Sequence, residues 1–422
     1  ILARNLVLIL AITKGGKMSK PDVLVVGAGI FGLTVAERLA TLQSKNVLVI
    51  DSRNHIGGNA YSEFDEETGI ECHKYGAHLF HTSDERVWAY VNKFTKFTGY
   101  VHHVYAMHKR EGAERPEVFP MPVNLGTINQ FFQANYTPDE AKALVTEQAK
   151  NNPAALEGRT PANLAEQGVS LIGKQLFDAF IKNYTAKQWQ TPAEELSPEI
   201  IKRLPVRYTY NNNYFKDTHE GLPVDGYEAW FQRMIESGNN GNGSIVVKLN
   251  TDYFDDPDIQ KLRNDNITTI YTGPIDRFYD YQFGELKWRS LDLEKEVLNV
   301  HDFQGCPVMN YNDLEPKWTR IHEFKHFHPE RAADPEKWSG YADDYNKTVI
   351  VCEYSKTWTR GEEPYYPVNT AEDKEKLAKY QQLATADREK NIYFGGRLGE
   401  YVYYDMDKTF ASALKLVDEL VG

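Results

Sequence analysis

A chain of 422 residues exceeds the size at which a single hydrophobic core usually stops growing, so two or three domains are expected. A formal net charge of -12 excludes nucleic acid as a general partner, so any phosphate ligand must meet a local cluster of arginines. Three cysteines, Cys72, Cys306 and Cys352, with no CxxC pair, exclude a disulfide framework and a cysteine zinc site, and they suit a reducing compartment, read here as cytoplasm.

In chain order, the first feature is an apolar run from Leu6 to Ile12 after Arg4. Seven residues cannot cross a bilayer, and Met18 opens a segment that reads like a start. Residues 1–17 are therefore taken as an upstream extension outside the fold, and no membrane insertion is expected. Next, the strand-like Val23, Leu24, Val25 and Val26 run into Gly27, Gly29 and Gly32. This is the strand, tight turn and helix that seat a dinucleotide pyrophosphate on a helix N-terminus. A second apolar strand, Val47 to Ile50, ends in Asp51, 19 positions beyond Gly32, where an acid can take ribose hydroxyls. The dinucleotide is FAD or NAD. HIGGNAY, with Gly57 and Gly58 directly after the acid, favours FAD, because a second glycine pair lets another loop close on the cofactor.

From about Leu125 to Leu196 the pattern predicts helices: Pro138 and DEAKALVTEQAK form an acid-rich first turn and helix, and LIGKQLFDAFIKNY carries apolar residues at helical spacing. Strands are expected in VRYTYNNNYF, FYDYQFGELKWRSL and KTVIVCEYS. Near the end, Ile392, Tyr393 and Phe394 lead through Gly395 and Gly396 to an amphipathic helix, so a nucleotide-binding unit occupies both chain ends and its domain is discontinuous. Between the ends, Arg and Tyr concentrate: Tyr184, Trp189, Arg203, Arg207, Tyr210 and Tyr214, then Arg320, Tyr365 and Tyr366, then Arg397, Tyr401, Tyr403, Tyr404 and Asp405. In an acidic chain this suggests an anionic ligand with an aromatic ring, such as a nucleotide-sugar, its diphosphate gripped by guanidinium forks and its base stacked on an aromatic side chain.

Together GAGIFG, HIGGNAY, HKYGAHLFHT, KQW, KRLPVR, YTGPIDRFYDY, TRIHEFKHF, EPYYPV and FGGRLGEYVYYDMD resemble UDP-galactopyranose mutases of the bacterial type, in register from about Lys20 to the C-terminus. The resemblance implies an α/β protein with a Rossmann-like FAD domain built from discontinuous segments (18–95, 220–275 and 368–422). A helical domain (125–200) with a mobile substrate loop and a twisted antiparallel sheet domain (96–124, 201–219 and 276–367) complete it. It implies a flavin-dependent isomerase that interconverts UDP-galactopyranose and UDP-galactofuranose. The implied mechanism is attack of reduced-flavin N5 on the anomeric carbon as UDP leaves, with no net redox change. A homodimer and a role in cell-wall galactofuranose synthesis are also implied.

Carried over by position, Arg203 and Arg320 match the family's diphosphate arginines, and Tyr184 and Trp189 match residues beside the uridine and on the mobile loop. Tyr214, Tyr366 and Tyr403 match phosphate-binding phenols, and Asp405 matches an acid near the site. His78 and His81 match the segment facing the flavin ring, so Arg203, Arg320, His81 and His78 form the expected catalytic set. The expected cofactor residues are Gly27, Gly29, Phe31, Gly32, Asp51, Ser52, Gly57, Gly58, Asn59, His78, Arg289, Arg397, Tyr404 and Asp405. The chain departs from the family at Asn211, at His219 and in the run Pro316, Lys317, Trp318, Thr319, Arg320, each beside a binding motif.

His322, His326 and His328, read as a strand, would share one face opposite Phe324 and Phe327, but their spacing matches no zinc motif, and no metal is expected there or at His102, His103 and His108. Two other readings carry the early fingerprint: an FAD-dependent oxidoreductase of the amine-oxidase type, against which the Arg and Tyr set argues, and a non-catalytic nucleotide-sugar or redox-sensing flavoprotein.

Overall fold

The computed structural model describes residues 9–10, 20–201 and 206–422, and two main sheets organise them. The first runs Ser244–Lys248, Asn46–Ile50, Val23–Val26, Thr268–Tyr271 and Ile392–Phe394, all parallel. Ile9–Leu10 adds an antiparallel edge strand against Val247 and Lys248, while residues 1–8 and 11–19 lie outside the described residues.

The apolar runs VLVV and NVLVI are continuous because both faces of a parallel sheet are covered. Val23, Val25, Val47 and Val49 face one core, and Leu24, Leu48 and Ile50 face the other, where Tyr253 and Ile259 cover them. Helix Ile30–Gln43 packs on the first face between Tyr227–Asn239 and Met406–Val421. The last of these buries Phe410, Ala413, Leu414 and Val417, the spacing of one helical stripe. From Val23–Val26 the chain moves outward to Asn46–Ile50 on one side and later to Thr268–Tyr271 on the other. That reversal opens a crevice at the carboxyl end of the central strand.

The second sheet has seven strands in the order Tyr366–Pro367, Trp288–Leu298, Thr348–Thr357, Arg320–Glu323, Val308–Tyr311, Val104–His108 and Glu117–Met121. Its pairings are antiparallel except between Val308–Tyr311 and Val104–His108. The register sets Arg320 directly opposite Glu353. The helical region follows its pattern, with Leu125–Phe132, Pro138–Lys150 and Leu164–Ile172 leading through a π-helical turn, Asp178–Lys182, into Asn183–Trp189. Thr137 and Glu140 form a capping box at Pro138, as the acid-rich first turn implied.

Two strand expectations fail. VRYTYNNNYF forms no strand among the described residues: the Arg207 guanidinium turns back onto the carbonyls of Asn211, Asn213 and Tyr214, and the Asn211 side chain accepts from the Asn213 amide. These local bonds satisfy backbone groups that a ladder would have used. In FYDYQFGELKWRSL the helix Ile275–Phe278 runs into a turn, with Asp280 and Tyr281 at φ 51° and 55°, and the strand begins only at Trp288. Among the described residues no helix is long and apolar enough to cross a membrane.

Candidate functional site

A cleft of about 670 Å³ opens at the carboxyl ends of the parallel strands. Gly29 and Gly57 meet as an isolated bridge, and a Cβ on Gly58, at φ 58°, would stand 3.0 Å from the Gly29 Cα, so the two loops approach closely where a side chain would be crowded. A Cβ on Gly32 would overlap the Gly27 carbonyl oxygen, which explains how the helix starts so close to its strand. No side chain caps the amides at Gly29, so the helix N-terminus offers free donors and its positive dipole end to the cleft. Asp51 sits at the rim: Oδ2 accepts from the Ala28 amide at 2.8 Å and Oδ1 from the Arg53 amide at 2.9 Å. The carboxylate is thereby oriented and keeps lone pairs for a ligand hydroxyl. Glycine cradle, uncapped helix and oriented acid fit a dinucleotide, with pyrophosphate at the helix start and ribose at Asp51.

Of the residues expected to hold the cofactor, Gly27, Gly29, Phe31, Gly32, Asp51, Ser52, Gly57, Gly58, Asn59, His78, Arg397 and Tyr404 line this cleft. Arg289 and Asp405 are outside its lining. Arg289 is buried in the second sheet, donating to Thr357 Oγ1 at 2.8 Å and Ser355 Oγ at 3.2 Å, and its Nε has no partner. Asp405 stands at the start of helix Met406–Val421. The His78 amide donates to His73 Nδ1 at 3.0 Å, and its own Nδ1 donates to the Gly76 carbonyl at 2.8 Å. Burial pulls His78 down to about 4, so it faces the cleft as a neutral imidazole at neutral pH.

A second cluster adjoins the first through Arg397, which donates to the carbonyls of Tyr365 at 3.1 Å and Tyr404 at 2.6 Å. Its guanidinium lies 5.9 Å from the Tyr366 ring and 5.3 Å from the Tyr403 ring, and these two rings stack at 5.6 Å. Arg320 Nη2 donates to Tyr184 Oη at 2.6 Å, and its Nε lies 3.3 Å from Glu353 Oε1. Burial opposes charge on Arg320, but Glu353 and then the phenols of Tyr184, Tyr366 and Tyr214 raise it above the ordinary guanidinium value. Glu353 is the counterpart: burial would raise it, yet Arg320 and His322 hold it at about 2. Tyr184, Tyr214, Tyr366, Tyr403 and Arg320 thus share one electrostatic neighbourhood, with Arg397 between them and the cleft.

Other expected residues stand apart. His81 Nδ1 pairs with Asp217 Oδ2 at 2.8 Å, and its ring stacks on Phe215 at 3.7 Å, outside the cleft lining. Trp189 ends the helix that carries Tyr184 and packs against the core. Arg203 lies outside the described residues.

Known proteins match most of the chain. A family model described as UDP-galactopyranose mutase matches residues 179–403, and one described as an NAD(P)-binding Rossmann-like domain matches residues 25–94. A probable UDP-galactopyranose mutase of Klebsiella pneumoniae is 40% identical over 405 residues, covering 96% of each chain. The chain belongs to the UDP-galactopyranose mutase family. A dTDP-fucopyranose mutase of Escherichia coli is 36% identical, covering 93% of this chain and 96% of its own. The crystal structure of a reduced UDP-galactopyranose mutase superposes with a TM-score of 0.67 at 15% identity, covering 96% of this chain and 94% of its own, which shows the shared fold. The protein is accordingly a mutase of the nucleotide-sugar class, with a Rossmann-type dinucleotide domain.

In this mutase, several site groups were not singled out from sequence. Glu353 sat inside a segment read only as a strand, and Asp217, partner of His81, lies far from it in the chain. Arg53 bridges Glu363 and Asn59 at the cleft rim. Thr272 lies within the quoted YTGPID run and bonds the Val26 carbonyl at 2.7 Å. The histidines also differ from expectation: the strand stops at Glu323, and Phe324–Phe327 forms a 3-10 turn. His322, His326 and His328 therefore diverge, toward Glu353, toward Asp302 and Glu323, and toward Glu71 and Glu330. Asp302, Glu323 and His326 gather ligand atoms within 4.8 Å, yet the Glu323 carboxylate already accepts from the Phe303 and Gln304 amides and the Thr348 hydroxyl.

Proposed function

We propose that the protein interconverts UDP-galactopyranose and UDP-galactofuranose, with FAD in its reduced form as cofactor. The observation that carries this reading is the junction at Arg397, where a dinucleotide cleft adjoins an Arg320 and tyrosine cluster suited to a diphosphate. When bound, reduced flavin supplies an electron-rich N5 as nucleophile toward the anomeric carbon as UDP leaves. The chain's own groups do the rest. Arg320, kept charged by Glu353, holds the diphosphate and stabilises its charge on departure, and the phenols of Tyr214, Tyr366 and Tyr403 donate further hydrogen bonds. Tyr184 and Trp189 serve the uridine side of the substrate, Asp405 belongs to the same site, and Arg203 supplies the second diphosphate arginine. His78, neutral and lining the cleft, would face the flavin ring when it is bound, while His81, held by Asp217, and Arg289 would act from outside that lining. The three-domain division, a homodimer, a cytoplasmic location and service to cell-wall galactofuranose belong to the same reading.

Arg320→Ala is expected to weaken UDP binding by about 1.5 to 3 kcal/mol, roughly ten- to a hundredfold in Kd by calorimetry. Unchanged affinity would remove the diphosphate from Arg320. The Escherichia coli relative's name favours one second reading, a dTDP-linked sugar as substrate. Turnover of UDP-galactofuranose against dTDP-fucofuranose at equal concentration separates the two. Oxygen consumption with amines, and no sugar turnover, would instead favour an amine-oxidase-type activity.

A further inference from the structure

Strands Val308–Tyr311 and Arg320–Glu323 are joined by a hairpin loop that the Tyr311 amide closes by donating to the Thr319 carbonyl at 2.9 Å. From the neighbouring helix Asn183–Trp189, the Lys187 ammonium reaches into this loop and donates to three carbonyls at once: Tyr311 at 2.6 Å, Trp318 at 2.9 Å and Pro316 at 3.0 Å. Lys has three N–H donors and no acceptor, so the loop saturates it. One turn earlier on the same helix, Tyr184 accepts from Arg320, which is the first residue of the strand leaving the loop. Lys187 and Tyr184 therefore hold the two ends of one connection between helix and hairpin.

The segment after Lys187 is tied down as well, with the Gln188 carbonyl accepting from the Ser355 hydroxyl and Gln190 Nε2 donating to the Ser355 carbonyl at 2.7 Å. A cation is an expensive way to tie a half-buried loop, since burial pulls Lys187 down to about 8 despite Asp313 and Glu315 nearby, with Lys317 adding to the fall. An apolar side chain would fill the space but leave three carbonyls without donors.

Resting on the nucleotide-sugar reading above, we propose that Lys187 is a positioning residue for substrate: its ammonium sets the spacing between Tyr184 on the helix and Arg320 on the hairpin, and so the affinity for the nucleotide diphosphate. Lys187 makes no contact with the reacting atoms in this account. It acts on binding, not on the chemical step.

The test compares wild type, Lys187→Met and Lys187→Arg, each loaded with flavin. The readouts are Kd for UDP by calorimetry, kcat and KM with UDP-galactofuranose, and hydrogen exchange of the amides of residues 311–320. For Lys187→Met we expect Kd and KM to rise together about tenfold with kcat within twofold, and faster exchange in 311–320. Lys187→Arg, which keeps the charge and several donors, should recover most of the affinity. If Lys187→Met lowers Tm while Kd and KM stay at wild-type values, or lowers kcat at constant KM, the proposal is overturned. Should Lys187→Met fail to fold, Lys187→Gln with its two donors replaces it and must fall between wild type and a tenfold loss. Wild type that binds neither UDP nor dTDP overturns the nucleotide-sugar reading itself, whereas wild type that binds with variants unaffected overturns only the role of Lys187.

Discussion

At Arg320 two requirements meet: a guanidinium must stay charged although half-buried, and it must stay aimed. Glu353, opposite it in the ladder, answers both, with His322 on its other oxygen at 3.2 Å. Removing one partner of a buried pair strands the other, so Glu353→Gln is expected to cost about 3 to 5 kcal/mol at pH 7, read from urea unfolding. The pH dependence has a definite sign. Glu353 is held at about 2, below the ordinary carboxylate value, so its contribution is complete above about pH 4.5 and is lost as pH falls toward 2. The gap between wild type and Glu353→Gln should narrow over that window, and a gap unchanged from pH 7 to pH 3 would contradict the pairing. Arg320 was legible in the sequence as an arginine among tyrosines, but Glu353 was not. Alternation marks a strand residue's face and says nothing about which residue of another strand lies opposite.

Among the elements, the first strand, turn and helix were legible almost residue by residue, because Gly27 and Gly32 each stand where a Cβ would overlap a neighbouring atom, Thr272 Oγ1 and the Gly27 carbonyl oxygen. Gly32→Ala tests this: its Cβ would meet the Gly27 carbonyl, so the helix start must shift, at about 1 to 3 kcal/mol, and flavin bound per chain should fall severalfold by absorbance. Full flavin content with unchanged Tm would show that the close packing is dispensable. The elements that escaped prediction are those whose polar side chains compete for the backbone. VRYTYNNNYF has the composition of a strand, but Arg207 and Asn211 bind its carbonyls and amides locally. In the histidine segment, periodicity alone could not show that the strand yields to a 3-10 turn after Glu323.

For the whole molecule, the discontinuous design follows from the sheet order. Ile392–Phe394, near the chain end, pairs with Thr268–Tyr271, which pairs with Val23–Val26 near its start, and helix Met406–Val421 packs on Ile30–Gln43. Between these segments the chain builds the helices and the second sheet, so Arg397, delivered by the last part of the chain, stands between the cleft and the Arg320 cluster. The two chain ends could be recognised from sequence as nucleotide-binding, but their meeting with the Arg and Tyr cluster is a tertiary fact. That meeting is what the proposed flavin-dependent isomerase would require, an electron-rich cofactor set against a departing diphosphate. The most direct test is turnover of UDP-galactofuranose by the purified, flavin-loaded protein, followed by chromatography, with the flavin oxidised in one sample and chemically reduced in the other. The account predicts UDP-galactopyranose in the reduced sample alone. No conversion in either sample, or equal conversion in both, would contradict it.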